Sequence, residues 1–288
     1  MTTTTTGAAA VPAAKQPSNI LFIMADDLGY SDLAALGGEI STPNLDALVK
    51  NGYLLNHHHS GSVCAVTRSM LISGTDHHLV GQGTMGSPSA EQLGLPGYEG
   101  YSNDRALSIA QLLKDGGYHT YMAGKWHLGS GLVGTGAGGK SPDQWGFERS
   151  YAMLGGAATN HFAHEAAGSK NYTEDGSYVQ PGQPGQPGGT GSSAFYSTDF
   201  FTQKLIAQID SKRSDGKPFF AYAAYTAPHW PLQVPEPWLS KYAGKYDAGY
   251  EVVRNARVAR QKALGFRKPK RKPKGQVLQY DTLLTVAE

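Results

Sequence analysis

Four segments of this 288-residue chain carry side chains that could act together chemically. Asp26 and Asp27 follow the apolar run at 19–25 (NILFIMA), Lys125 and His127 follow 118–123 (YHTYMA), and His229 follows 219–226 (FFAYAAYT). The single cysteine, Cys64, lies four residues before Arg68 in the stretch GSVCAVTRSMLISG at 61–74. Adjacent carboxylates are costly to keep ionised together unless a cation neutralises them, and an all-oxygen pair suits Ca²⁺ or Mg²⁺. Taken alone, Asp26 and Asp27 read equally as a solvated turn. A thiol near a helix N-terminus and beside a guanidinium sits where an anion is favoured. An isolated free Cys reads otherwise as a small buried hydrophobe. Arg68, Lys125, His127 and His229 together supply donors that hold the oxygens of a tetrahedral oxyanion ester, while a metal offsets the charge that develops in reaction. The two-residue period of an extended chain places Lys125 and His127 on one side.

These residues need a scaffold that brings distant segments together. The runs at 19–25 and 219–226 have the composition of strands buried in a parallel sheet, on both faces for 19–25, and 118–123 reads as another strand. Between them, Thr42 and Pro43 begin a helix closed by Gly52, with Leu45 and Leu48 on one face. A second helix is predicted over about 103–115, with Leu107, Ala110 and Leu113 at helical spacing. Ser197, Thr198 and Asp199 offer caps for a third through about Asp210, with Phe201, Leu205 and Ile209 on its stripe. Strand and helix in alternation predict an α/β sheet with helices on both faces, whose site lies beyond the carboxyl ends of the strands. Asp26, Asp27, Lys125, His127 and His229 all fall at such ends.

With 40% hydrophobic residues the chain is long enough for one large core. One cysteine permits no internal disulfide. Residues 1–17 lack a basic start followed by an apolar core and read as a disordered leader, so a cytoplasmic location is expected. No apolar run is long enough to span a bilayer, and no membrane partner is expected. Residues 251–274 hold ten Lys or Arg against one acid, although the whole chain is only +2. The Pro-interrupted end of this run reads as a solvated tail rather than a nucleic-acid contact. The tract QPGQPGQPGGTG near 180–191 reads as an irregular surface loop, and Asn171, Tyr172 and Thr173 form a glycosylation sequon.

ADDLGYSD at 25–32, the cysteine stretch, GYHTYMAGKWHLG at 117–129 and APHWP at 227–231 together resemble the sulfatases, most closely the type I arylsulfatases. TPNLDALVKNG and GTDHH support the resemblance, which covers residues 18–264. It implies an alkaline phosphatase-like α/β fold, a large mixed sheet flanked by helices. It also implies hydrolysis of small-molecule sulfate esters. Cys64 would be converted by a maturation enzyme to formylglycine, whose hydrated aldehyde attacks the ester. Asp26 and Asp27 would bind a divalent metal, Ca²⁺ or else Mg²⁺, also touched by the modified Cys64. Arg68 would steady the formylglycine, His127 would contact its hydroxyls, and Lys125 and His229 would hold the sulfate oxygens.

Two departures qualify what the resemblance implies. The family's loop is C-x-P-x-R, and here Val66 stands at the proline position. The family's further Asp–Asn metal pair and substrate Lys belong to a segment beyond this chain, and residues 265–288 do not resemble the family. The sequence therefore predicts an incomplete, truncated catalytic domain over 18–264 followed by a basic tail. Besides a sulfuric ester hydrolase, it admits a related phosphonate or phosphate monoester hydrolase and a truncated, non-catalytic sulfatase-like protein.

Overall fold

The computed structural model describes residues 17–129, 138–156, 161–162, 171–179 and 195–266. The leader as far as residue 16, the QPG tract and the tail from residue 267 lie outside the described residues. Among those described, six strands form one sheet: β1 (Ile20–Asp26), β2 (His119–Lys125), β3 (Arg149–Met153), β4 (Tyr172–Glu174), β5 (Ser177–Tyr178) and β6 (Phe219–Pro228). Their order is β1-β6-β2-β3-β4-β5. The first four in that order are parallel, and β4 and β5 turn back antiparallel. The helices are α1 (Pro43–Asn51), α2 (Cys64–Ser73), α3 (Ile109–Asp115), α4 (Ser197–Asp210), α5 (Glu236–Ser240) and α6 (Tyr250–Ala263).

The alternation of β6 explains how two layers of helix are held. Phe220, Tyr222 and Ala224 face one core with Ile72 of α2 and Ala110 of α3, while Ala221 and Ala223 face the other with Phe201 and Leu205 of α4. The small alanines let α4 approach, and Phe201 is only 1% exposed. Burying a side chain of that size stabilises the fold by about 1.5–3 kcal/mol. All seven residues of β2 are buried, His119, Thr120 and Lys125 included, because β2 lies between β6 and β3 and is covered by α3 and α4. Gly124 is required there. Its φ is +121°, and a Cβ would stand 1.9 Å from the Ala224 carbonyl oxygen on β6.

Three expectations are corrected by the packing. The strand at 19–25 is in place as β1, but it is not buried on both faces. It is the sheet's edge, α4 packs mainly over β6, β2 and β3, and Leu21 and Ile23 are about half exposed. Helix α1 has the predicted bounds, yet Leu45 and Leu48 are exposed and none of its residues is buried. Helix α3 begins at Ile109 rather than near 103, because the Ser108 hydroxyl caps it by accepting from the Gln111 N–H at 2.9 Å. Leu107 is thereby left outside and exposed.

Part of the basic run is not a free tail. Arg257 of α6 donates to both Glu39 oxygens at 2.6 and 2.8 Å and to Asp32 at 2.5 Å, fastening the helix to the segment after β1. The Arg257 guanidinium is the main reason the Glu39 carboxyl is held down to about 2. The sequon residue Asn171 is buried, and its side-chain oxygen accepts from the Gly155 N–H at 2.7 Å. No helix among the described residues is long and apolar enough to cross a membrane.

Candidate active site

The carboxyl ends of β1, β2 and β6 meet the start of α2, which brings the four sequence segments to one rim. Cys64 is the first residue of α2, after Val63 in extended conformation. The unpaired N–H groups of a helix's first turn and its dipole favour negative charge at that place. Cys64 Sγ lies 3.2 Å from His127 Nδ1 and 4.0 Å from Met85 Sδ. Val66 is 6% exposed and occupies the third position of the helix, where a proline would also be tolerated because the backbone N–H there has no partner within the helix.

His127 does not continue β2. It turns into the left-handed region at φ +58°, so the two-residue alternation stops at Lys125. Asp27, at φ +60°, is the second non-glycine residue of the rim in that region, where side chains are uncommon and often functional. The His127 ring lies against Gly156, at which a Cβ would come 2.4 Å from Nε2. Burial, reinforced by the Lys125 and Arg68 cations, pushes the imidazole down to about 3. That depression favours the neutral ring, which keeps one nitrogen lone pair.

Beneath it lies a buried charge cluster. Lys125 Nζ is 2.5 Å from Asp26 Oδ2, and Arg68 Nη2 is 3.5 Å from Asp26 Oδ1. Arg68 Nη1 donates to the Lys125 carbonyl at 2.8 Å and to the Tyr222 hydroxyl at 3.1 Å, and Nη2 reaches the Tyr225 carbonyl at 3.3 Å. None of these three charged side chains is more than 4% exposed. Two cations face one buried anion, and Arg68 Nε is buried without a hydrogen-bond partner. An excess of positive charge with an unused donor suits an incoming oxyanion.

The outer wall is His229 and Asp27, whose Nε2 and Oδ2 are 3.5 Å apart, while His229 Nδ1 donates to the Trp230 carbonyl at 2.7 Å. All the site residues expected from sequence are thus placed on this rim, but their partners differ from those expected in two respects. The contacts of Arg68 run to the strand ends and Asp26 rather than to Cys64. Asp26, Asp27 and Cys64 do not close into a three-ligand set, because Asp26 is turned to Lys125 and Arg68. Asp26 and Asp27 still fit a hard divalent cation in donor type, with the Lys125 ammonium then released from Asp26. Sequence reasoning missed Tyr222, Met85 and Gly156. The aromatic residues in the run at 219–226 pointed to core rather than to a hydroxyl on Arg68, and Met85 and Gly156 carry no local signal.

A mixed sheet carries a thiol, an imidazole, two cations and carboxylates at the carboxyl ends of its parallel strands, donor types that suit an oxyanion. The sulfatase family model matches residues 18–285, past Leu264 where the motif resemblance ends. An uncharacterized sulfatase of Schizosaccharomyces pombe is 42% identical over 265 residues, covering 88% of this chain and 45% of that protein. An arylsulfatase of Klebsiella aerogenes is 36% identical over 260 residues, covering 88% and 52%. The solved structure of Ps i-CgsB in complex with a neocarrahexaose superposes with a TM-score of 0.61 at 25% identity, covering 87% of this chain and 53% of that one. The chain belongs to the sulfatase family. It spans about half the length of the curated relatives it matches.

Proposed function

We propose that this chain carries the nucleophile side of an arylsulfatase-like sulfuric ester hydrolase site, with Cys64 as the precursor of formylglycine and a divalent cation, Ca²⁺ or Mg²⁺, held by Asp26 and Asp27. The observation that carries the reading is the 3.2 Å approach of Cys64 Sγ to a buried, neutral His127 above the Arg68–Asp26–Lys125 cluster. Formylglycine, once formed, supplies the oxygen that attacks sulfur. His127 is the group placed to take a proton from it, because desolvation keeps the ring neutral. Arg68 fixes the helix start against β2 and β6. Lys125 is a donor for the sulfate oxygens, joined by His229 in its doubly protonated form because the Nδ1 proton is already given to the Trp230 carbonyl, and the buried surplus cation compensates the charge of the bound ester. The substrate class is small sulfate esters, in keeping with the arylsulfatase named among the relatives.

Val66 lies in the first turn of α2, where proline is also tolerated, so its consequence is read in how a maturation enzyme takes the unfolded segment rather than in the folded site. That is the specific ground for the second reading, a sulfatase-like chain whose Cys64 stays a thiol and which does not turn over sulfate. Mass spectrometry of the Cys64 peptide, after co-expression with a formylglycine-generating enzyme, separates the two. Aldehyde at position 64 supports the hydrolase reading; thiol alone contradicts it and leaves the non-catalytic one. A related phosphate or phosphonate ester hydrolase is distinguished by substrate pairs that share one alcohol.

A further inference from the structure

After α2 the chain runs through GTDHH at 74–78, and none of Asp76, His77 or His78 takes part in the site above. Each offers one ligand atom, and the three atoms lie within 4.8 Å of one another; no other set of three His, Cys, Asp or Glu side chains among the described residues does so. Both imidazoles are oriented by their surroundings. His77 Nδ1 lies 2.8 Å from the Gln82 carbonyl oxygen. A carbonyl only accepts, so Nδ1 carries the proton and Nε2 of the neutral ring presents its lone pair. Metal-ligating histidines are held in the same way, by a second nitrogen donating to a backbone carbonyl.

The His78 ring lies 4.1 Å from that of His77 between centroids, and Tyr98 meets it edge-on at 5.4 Å. A Cβ at Gly83 would come 2.7 Å from His78 Cδ2, so the ring's slot exists because position 83 has no side chain. Asp76 Oδ1 accepts from the His78 N–H at 2.9 Å and faces His78 Nδ1 at 3.3 Å, which leaves Oδ2 and His78 Nε2 uncommitted. Asp76 and His78 are exposed and His77 is half-buried, so an ion reaches the cluster from solvent.

We propose that Asp76, His77 and His78 bind a divalent transition-metal ion of the Zn²⁺ class, with water completing its shell. Two imidazole nitrogens and one carboxylate oxygen suit Zn²⁺ or Co²⁺, whereas Ca²⁺ and Mg²⁺ take oxygen ligands. Metal–nitrogen bonds of about 2.0–2.1 Å bring tetrahedral ligand atoms to roughly 3.4 Å apart, and a turn of the exposed Asp76 carboxylate with a small shift of the His78 ring within its slot closes the difference.

The test is a titration of the untagged 288-residue chain, freed of metal by chelator, with Co²⁺ followed by Zn²⁺. The expected result is one Co²⁺ per chain with visible d–d absorption, bleached by Zn²⁺ and unaffected by Ca²⁺. His77→Gln and His78→Gln should each weaken binding by about tenfold or more. Cys64→Ser, and a chain in which the exposed run of three histidines before α2, His57, His58 and His59, is changed to Gln, should bind as the parent does. Nitrogen-15 NMR of the unsubstituted chain should show two histidine rings ligating on Zn²⁺ addition, His77 through Nε2, a readout that does not depend on any variant folding. The proposal is overturned if no micromolar binding occurs, if binding survives loss of both His77 and His78, or if it follows His57–59 or Cys64 instead.

Discussion

Asp26→Asn tests the charge cluster on which the site is built. The substitution keeps the shape of the side chain but leaves Lys125 and Arg68, 0% and 1% exposed, facing each other without their shared anion. Breaking a buried ion pair by removing one partner costs about 3–5 kcal/mol. Two cations lose their partner here, so the upper end of that range applies. Against a domain stability of about 5–15 kcal/mol the loss is a large fraction. Urea unfolding followed by far-UV circular dichroism, in chelator so that no cation substitutes for the lost contact, measures it. The second arm is Asp26→Asn with Lys125→Met, which removes one of the stranded charges. The double variant should be more stable than the sum of the two single losses predicts by about 1–3 kcal/mol. If Asp26→Asn prevents folding outright, the double variant should restore a cooperative transition. A loss under about 1 kcal/mol for Asp26→Asn, or strict additivity of the two changes, would refute the cluster as described.

Further outcomes follow from other parts of the fold. Gly124→Ala should cost about 3 kcal/mol and lower the thermal midpoint, because the new Cβ meets the Ala224 carbonyl and the φ of +121° suits only glycine. Glu39→Gln should cost about 1–2 kcal/mol at neutral pH after allowance for solvent screening. Glu39 is depressed when folded, so its contribution is present above the ordinary glutamate range and is lost as pH falls toward 2; the variant and parent should converge there in acid unfolding. His119 lies between Glu148 at 2.7 Å and Asp215 at 2.6 Å. Burial opposes its charge, but the two carboxylates prevail and raise it. Its contribution is therefore full below about pH 6.5 and is lost as pH rises through the raised value, and His119→Gln should flatten that part of the stability–pH curve.

Three of the six strands were legible because they end in chemistry-bearing residues, whereas β3, β4 and β5, of five, three and two residues, are too short to show a pattern of their own. Residues 118–123 and 219–226 needed no tertiary information to be placed as strands. Burial was less legible. The run at 19–25 has the same composition as those strands, yet only the sheet order reveals that β1 has no strand beyond it among the described residues. Leu45 and Leu48 likewise show helical spacing without showing what, if anything, covers them. The site residues were readable from their position after strands, while their pairings were not. That Arg68 would be held by the Tyr222 hydroxyl and the Lys125 carbonyl depends on register between β2 and β6, which no local pattern encodes. The left-handed turn at His127 breaks the alternation that sequence alone would continue.

Hydrolysis of p-nitrophenyl sulfate and p-nitrophenyl phosphate by the purified chain, co-expressed with a formylglycine-generating enzyme, tests the central claim most directly. Turnover of the sulfate in clear excess over the phosphate, lost on Cys64→Ala, is the predicted result. Preference for the phosphate, or sulfate turnover that persists without Cys64, would contradict the assignment.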